Sequence, residues 1–439
     1  MFSTLKRKIP LRFPPRRVYH QLKGWQAAHK QGFPAEQLKV IGITGTNGKT
    51  SSSLLTASIL AAANKKHGLL SSLYLKTGAE KQINPTKFTT LSPHYLQKQL
   101  KEMVKNQLEW VVLEVTSHAL DQGRVNGIPF DIVALTNLTP EHLDYHQTMK
   151  AYRQAKSRLF ANLAFQKRKN GTPKIAVLDP SAPEFADFDQ FPADCKYYYS
   201  LDKTWIDHLK ASDSWLYADQ IKARKDGTDF TLVTPNGSIN IQLKLPGQFN
   251  VKNALLAAAI GLALRLDLET IKRGLEAVTD IPGRLEWVPT KRNFSVLLDY
   301  AVTPDSLALL HDLVKDWHQG KLIQVFGACG DRDRSKRPAM GKIVGQHADF
   351  AILTNEDPYG EDPQQIIAEL ASGLEQAGKT KDQDYLVIMD RAKAIKKALS
   401  LAEAGDLVLI TGKGAETLMQ FADKAIPWSD RAEVHKALK

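Results

Sequence analysis

Cysteine is nearly missing from this 439-residue chain, which has only Cys195 and Cys329. Two distant thiols make neither a disulfide framework nor a cysteine-rich zinc site, and they fit a reducing cytoplasm. No uncharged apolar run approaches the roughly 18 residues of a membrane span. The start, Met1 to Lys8, has basic residues but no apolar segment after them, so no secretory signal is read there. Acidic residues are missing from residues 1–30, which carry Lys6, Arg7, Lys8, Arg12, Arg16, Arg17, Lys23 and Lys30. The net charge of +12 is concentrated in that segment. Without those eight cations the remainder carries about +4, an ordinary enzyme surface, and no nucleic-acid partner is expected. Phe2, Phe13, Val18, Tyr19, Leu22 and Trp25 are interspersed with the cations. The segment reads either as an arm for a membrane surface or anionic ligand, or as a solvated tail packing one short helix on the next domain. The tail is the preferred reading.

What is present is an α/β pattern large enough for two or three domains. Strand-like runs at Val40–Thr44, Trp110–Val115, Ile132–Leu138 and Lys174–Leu178 alternate with helical stretches, which predicts a mostly parallel sheet. Trp215–Ala218, Asp229–Val233 and Ile239–Leu243, with turns at Asp226-Gly227 and Pro235-Asn236-Gly237, predict a small antiparallel meander. A long Ala/Leu helix is expected at Val251–Leu266, and Ile281-Pro282-Gly283-Arg284 punctuates the chain. A second alternating set beyond it predicts a smaller, Rossmann-like domain. The expected division is a basic extension at 1–38, a central nucleotide-binding domain at 39–281 and a C-terminal domain at 282–439.

Residues 42–50 read Gly-Ile-Thr-Gly-Thr-Asn-Gly-Lys-Thr, ending the apolar run Leu38–Ile43. A strand leads into a glycine-rich turn, and a helix is expected over Ser51–Ala63. Such a loop aims successive backbone N–H groups at a phosphate. Lys49 can reach the β- and γ-phosphates of a nucleotide, and the Thr50 hydroxyl can ligate Mg²⁺. The strict Walker spacing wants glycine where Ile43 stands; Gly42 and Gly45 bracket that position. A glycine turn in an ordinary strand–helix unit is the plain alternative. Glu114 ends the next strand, where parallel sheets bind ligands, and with Thr50 it suits a nucleotide-bound Mg²⁺. Glu141, His142, Asp144 and His146 crowd into six residues after a third strand, suggesting a metal or phosphate site. The plain alternative is a helix start with Thr139 as N-cap and Pro140 in the first turn. It leaves His142 where a capping box wants Glu or Gln. Lys156, taken alone, is a surface lysine.

Together these segments resemble a known family. Thr-Gly-Thr-Asn-Gly-Lys-Thr, Glu114-Val-Thr-Ser-His-Ala-Leu120, Thr136-Asn-Leu-Thr-Pro-Glu-His-Leu-Asp-Tyr-His146 and Ala155-Lys156 resemble, in this order, motifs of the Mur ligases. Leu245-Pro-Gly-Gln-Phe-Asn250-Val-Lys-Asn253, Pro282-Gly-Arg284-Leu-Glu286 and Asp299-Tyr300-Ala301 extend the match. Gly330-Asp-Arg332-Asp-Arg-Ser-Lys336-Arg337-Pro338 and Thr411-Gly412-Lys413-Gly414-Ala-Glu416 look like the MurE type, the tripeptide synthetases. The resemblance implies an ATP- and Mg²⁺-dependent ligase that joins an amino acid to a UDP-muramyl-dipeptide through an acyl phosphate, in peptidoglycan precursor synthesis. It implies nucleotide contacts at Thr46, Asn47, Gly48, Lys49, Thr50, Asn250, Asn253, Arg284 and Asp299. Thr50, Glu114, His142 and Lys156, the last as its carbamate, match the Mg²⁺ ligands. Lys49, Glu114, His142 and Lys156 thus become the expected catalytic set. Thr89, Thr90, Thr116, Gln122 and Arg124 match acceptor positions. Arg332, Gly412 and Glu416 match the pocket for the incoming diamino acid. A cytoplasmic monomer acting on small molecules is expected, with only weak membrane-surface contact through its basic start.

Three departures stand out. About 38 residues precede the phosphate-loop strand, where members of this type carry a domain that grips the uridine diphosphate. Glu356-Asp357-Pro358-Tyr359 replaces the Asp-Asn-Pro-Arg of diaminopimelate-adding members. Tyr359 cannot make a bidentate pair with a carboxylate, while Glu356 and Asp357 suit an ammonium, which favours lysine or a similar basic amino acid. Val302 and Ala415 stand where the family has histidines. Other readings are a folate polyglutamate or storage-polypeptide ligase, a nucleotide-binding module acting with an amidotransferase, and a membrane-bound scaffold. The Glu114–Arg124 and Arg332–Pro338 matches oppose the first. The absence of a cysteine-rich insertion opposes the second, and the intact Lys49, Glu114, His142 and Lys156 set opposes the third.

Overall fold

The computed structural model describes residues 14–169, 171–209 and 214–439; Lys6, Arg7, Lys8 and Arg12 of the basic segment lie outside the described residues. The chain divides into two units, Met1–Thr279 and Asp280–Lys439.

The first unit is built on one sheet of eleven strands: β1 (Lys39–Thr44), β2 (His67–Leu70), β3 (Tyr74–Lys76), β4 (Lys81–Ile83), β5 (Trp110–Glu114), β6 (Ile132–Leu135), β7 (Ile175–Leu178), β8 (Cys195–Ser200), β9 (Ser214–Arg224), β10 (Gly227–Thr234) and β11 (Gly237–Leu243). The order is β11-β10-β9-β8-β7-β6-β1-β5-β2-β3-β4. Pairing is parallel from β9 through β2 and antiparallel at both edges. The expected antiparallel meander forms one edge of the central sheet. β1, β5 and β6 read as nearly continuous apolar runs and are buried on both faces, as strands covered by helices on two sides must be. The helix Gln248–Ala263 is buried almost all round and packs against the helix Lys49–Ala62. Gly274 permits the next helix to approach closely: an added Cβ there would lie 2.5 Å from Ile59 Cα.

The second unit has a six-stranded sheet of β12 (Glu286–Trp287), β13 (Ser295–Asp299), β14 (Leu322–Phe326), β15 (Phe350–Leu353), β16 (Tyr385–Val387) and β17 (Leu407–Thr411). Its order is β12-β13-β17-β14-β15-β16, all parallel except β12 against β13. Val296, Leu298, Ile323, Val325, Ile352, Val408 and Ile410 make one core face with Ala394, Ile395 and Ala398 of the helix Arg391–Leu401. The carboxyl ends of β13, β14, β15 and β17 lead into the loops that carry Tyr300, Cys329, Glu356 and Gly412.

Candidate functional site

β1 ends at Thr44 and the chain turns through Gly45 (φ 148°) and Gly48 (φ 83°) into the helix Lys49–Ala62. Only glycine takes Gly48's left-handed conformation without strain, and an added Cβ would stand 2.2 Å from Asn253 Oδ1. Gly48 is the N-cap and supplies no capping side chain, so the first turn keeps backbone N–H groups for a ligand. The loop is clamped from the β6 side. Asn47 N–H donates to Asn137 Oδ1 (2.9 Å), and Thr136 Oγ1 and Asn137 Nδ2 donate to the Asn47 carbonyl (2.6 and 3.0 Å). Thr46 Oγ1 accepts from Thr139 N–H at 3.0 Å and bonds the Tyr152 hydroxyl at 3.0 Å. Thr139 thus serves the phosphate loop and caps no helix. The helix starts at Leu143, after His142 in the left-handed region (φ 59°), so the plain alternative of an N-cap at Thr139 does not hold.

The lysines converge on one atom. Lys49 Nζ donates to the carbonyls of Gly45 (3.0 Å) and Thr46 (2.7 Å), and Lys156 Nζ donates to the same Gly45 oxygen (2.5 Å). Lys156 is no surface lysine: it is 1% exposed, with its ammonium 4.6 Å over the Tyr152 ring. Burial first, then the neighbouring Lys49, push it well below the usual lysine range, with Glu141 opposing.

Glu114 is buried at the end of β5. Its Oε2 accepts from Thr50 Oγ1 (3.2 Å) and its Oε1 from Ser72 N–H (3.1 Å), while the two hydroxyls lie 2.8 Å apart. A carboxylate and a hydroxyl side by side at the foot of a phosphate loop are the few hard oxygens Mg²⁺ takes from a protein, and the residues present fit that ion. His142 lies in a cluster of rings: its own ring is 4.7 Å from His118 and 6.2 Å from Tyr152, and Nε2 is 3.6 Å from Glu141. Among the described residues no group of three or more His, Cys, Asp or Glu side chains is arranged to hold a metal.

The residues matched to acceptor positions form a second network beside Glu114. Thr90 Oγ1 donates to the Glu114 carbonyl (2.9 Å) and accepts from Thr116 N–H (2.9 Å). Thr116 caps the short helix Ser117–Asp121. Arg124 donates to Gln122 Oε1 (2.9 and 2.7 Å) and the Thr90 carbonyl (3.0 Å), and stacks over Phe88 at 5.1 Å. Thr89 is half-buried next to Thr90. On the other side of the loop, Asn253 accepts from Ser52 (3.3 Å) and donates to Asn250 (3.2 Å). Asn137, Tyr152 and Ser72 were not singled out from the sequence. Tyr152 sits one helical turn before Lys156, a spacing that could have pointed to it.

In the second unit, Asp299 Oδ2 accepts from Leu285 N–H (2.9 Å), and the Arg284 guanidinium lies 4.3 Å over the Tyr300 ring. Asp357 is not free to meet a ligand ammonium, because Lys413 Nζ donates to both of its oxygens (3.0 Å each) and also to Glu416. Burial works against the Lys413 charge, but Glu416 and Asp357 hold it above the usual lysine range. Glu356 differs. Its Oε1 accepts from Cys329 Sγ–H (3.0 Å), whereas Oε2 is buried without a hydrogen-bond partner among the described residues. Gly412 (φ 111°) leaves room for it, since an added Cβ would stand 2.4 Å from that oxygen. Burial raises the Glu356 pKa. Arg332 is exposed, with its guanidinium 5.4 Å over the Tyr359 ring. The fully buried guanidinium that follows is Arg337, in the first turn of the helix Lys336–His347, held by Glu361 (2.8 Å) and Glu369 (2.7 Å).

Family models match the same two regions, the Mur ligase middle domain over residues 43–261 and the Mur ligase glutamate ligase domain over residues 283–414. The chain is 41% identical over 409 residues to a UDP-N-acetylmuramoyl-L-alanyl-D-glutamate–2,6-diaminopimelate ligase of Bacillus velezensis, covering 93% of this chain and 79% of the relative. It is 37% identical over 423 residues to a UDP-N-acetylmuramyl-tripeptide synthetase of Roseiflexus sp., covering 94% and 81%. A solved structure of a 2,6-diaminopimelate ligase of the same name as the first relative superposes with a TM-score of 0.60 at 31% identity, covering 96% of this chain and 83% of that one. A folylpolyglutamate synthase of Mycobacterium tuberculosis has a TM-score of 0.68 at 18% identity, covering 89% and 91%, which shows a shared fold alone. With the phosphate loop, the buried lysine and both matched domains in place, the chain belongs to the Mur ligase family of ATP-dependent acid–amino-acid ligases.

Proposed function

We propose that this enzyme adds a diamino acid of the lysine kind to the free carboxylate of a UDP-N-acetylmuramoyl-L-alanyl-D-glutamate-type acceptor, in the cytoplasm. A carboxylate is a poor electrophile, so the acceptor is first phosphorylated by ATP and the amine then displaces phosphate. In that role Lys49 and the loop N–H groups hold the transferring phosphate, an arrangement that stabilises charge on its oxygens. Mg²⁺, held through Thr50, Glu114, His142 and carbamylated Lys156, would neutralise charge on the phosphates. Asn250 and Asn253 border the nucleotide. Thr89, Thr90, Thr116, Gln122 and Arg124 hold the acceptor.

The observation that carries the amino-acid preference is Glu356. Its Oε2, without a hydrogen-bond partner among the described residues and beside Gly412, suits an ammonium rather than a second carboxylate. Tyr359 offers no guanidinium at the position that follows Pro358. Named relatives add 2,6-diaminopimelate, so the two amino acids must be compared directly. Phosphate release from ATP, with UDP-muramyl-dipeptide and lysine, ornithine or diaminopimelate, is expected to be highest with lysine. A preference for diaminopimelate would overturn the lysine reading, and no release with any of the three would overturn the reaction.

A further inference from the structure

The helix Pro14–Gln31 has two distinct faces among its described side chains. Its inward face is made of small side chains and one amide. Gly24 lies on the Gly123 carbonyl, where an added Cβ would stand 1.9 Å from the oxygen, and Ala27 and Ala28 are buried. Gln21 donates to the Asp121 carbonyl (2.9 Å) and accepts from Asn126 (2.7 Å). These contacts dock the helix on the turn 121–126 and against the helix Pro93–Lys105. The second face holds Val18, Leu22 and Trp25 at i, i+4 and i+7, and they are 58%, 62% and 53% exposed. Such a stripe normally faces a protein's own core. Here Gly24, Ala27 and Ala28 already take that place, so three large apolar groups line up in solvent. Tyr19, Lys23 and Lys30 lie beside the stripe, with the Lys23 ammonium 4.4 Å over the Tyr19 ring.

We propose that this helix seats the protein on an anionic lipid bilayer, with Val18, Leu22 and Trp25 entering the boundary between headgroups and acyl chains and the flanking cations pairing with lipid phosphates. Charge complementarity selects this occupant. No acidic residue precedes Glu36, and eight cations lie within residues 1–30. Each Lys or Arg near an anionic leaflet contributes roughly 1 kcal/mol. Tyr and Trp favour the headgroup level, and lysine stems reach from an apolar surface to a polar one. The turn beneath the helix carries Gln122 and Arg124, so seating would hold that segment close to the membrane surface.

Sedimentation of the full-length chain with vesicles tests this. Binding is expected to vesicles of phosphatidylcholine with phosphatidylglycerol, little to phosphatidylcholine alone, and less as salt rises. Leu22→Glu and Trp25→Glu should each weaken binding about tenfold. Lys23→Glu should weaken it by about thirtyfold, since two units of charge change near the surface. ATP-dependent phosphate release with a soluble acceptor and the circular dichroism of the Leu22→Glu variant should stay at wild type, because the Leu22 side chain is 62% exposed. Equal capture by neutral and anionic vesicles, no capture by either, or unaltered capture of Leu22→Glu would overturn the proposal. A dimer in sedimentation velocity that Leu22→Glu dissolves, with no vesicle binding, would overturn it in favour of a second copy.

Discussion

The Gly45 carbonyl oxygen receives two ammonium groups, from Lys49 at 3.0 Å and Lys156 at 2.5 Å. Two cations on one acceptor repel, and Lys156 is fully buried, so its proton is held weakly. A neutral amine is what CO₂ adds to, and the product is an anionic oxygen ligand. Lys156→Ala is therefore expected to lower ligase activity by roughly 100-fold, the upper range for loss of a metal-supporting group. Short carboxylic acids should restore part of it by placing an oxygen anion in the vacated space. Wild-type turnover in Lys156→Ala would refute the carbamate role. Neither the burial of Lys156 nor its meeting with Gly45 could be read from Ala155-Lys156. The two residues are 111 positions apart, and their contact depends on how the helix Met149–Phe165 lies against β1. Asp357 teaches the same lesson in the opposite direction. Its charge looked available in sequence, but the fold spends it on Lys413.

At the scale of elements, the alternation of strands and helices was legible because burial on two faces requires apolar strands and amphipathic or Ala-rich helices. Boundaries shifted where local chemistry competed. The helix expected from Ser51 starts at Lys49, because Gly48 takes the left-handed conformation that opens it. The alternative helix start at Thr139-Pro140 does not form, because Thr139 is recruited by Thr46. One helix pair in the second unit carries a pH dependence. His311 in the helix Pro304–Val314 stacks on His347 in the helix Lys336–His347 at 4.9 Å. Burial, and next the His347 ring, pull His311 from 6.5 down to about 4. Between pH 6.5 and about 4 the unfolded chain takes up a proton that the folded chain refuses, so stability falls as pH is lowered through that window. The loss amounts to about 3 kcal/mol from this residue at the acid end. Urea midpoints at pH 7 and pH 4.5 should show a smaller acid loss in His311→Gln than in wild type. An unchanged difference would rule out His311 as its source.

For the whole molecule, the division at Thr279–Asp280 falls in an exposed, irregular segment between the helix Leu268–Glu276 and β12. Domain boundaries of this kind are where proteases reach extended backbone. Limited thermolysin digestion is expected to cut within residues 277–282 before any strand of either sheet, leaving two resistant fragments identified by mass. Early cleavage inside β1 or β17 would contradict the division. The sequence by itself determined the phosphate loop, the parallel α/β architecture and the ordered motifs of a Mur ligase. Each of those signals is local, carried by turn chemistry, strand hydrophobicity or the spacing within one short motif. Only the tertiary structure decided that Thr139 and Tyr152 hold Thr46 and that one Glu356 oxygen has no hydrogen-bond partner among the described residues. It also decided that Val18, Leu22 and Trp25 face outward. These outcomes depend on strand order, on close approaches allowed at Gly24, Gly48 and Gly412, and on which long-range partner reaches each charge first.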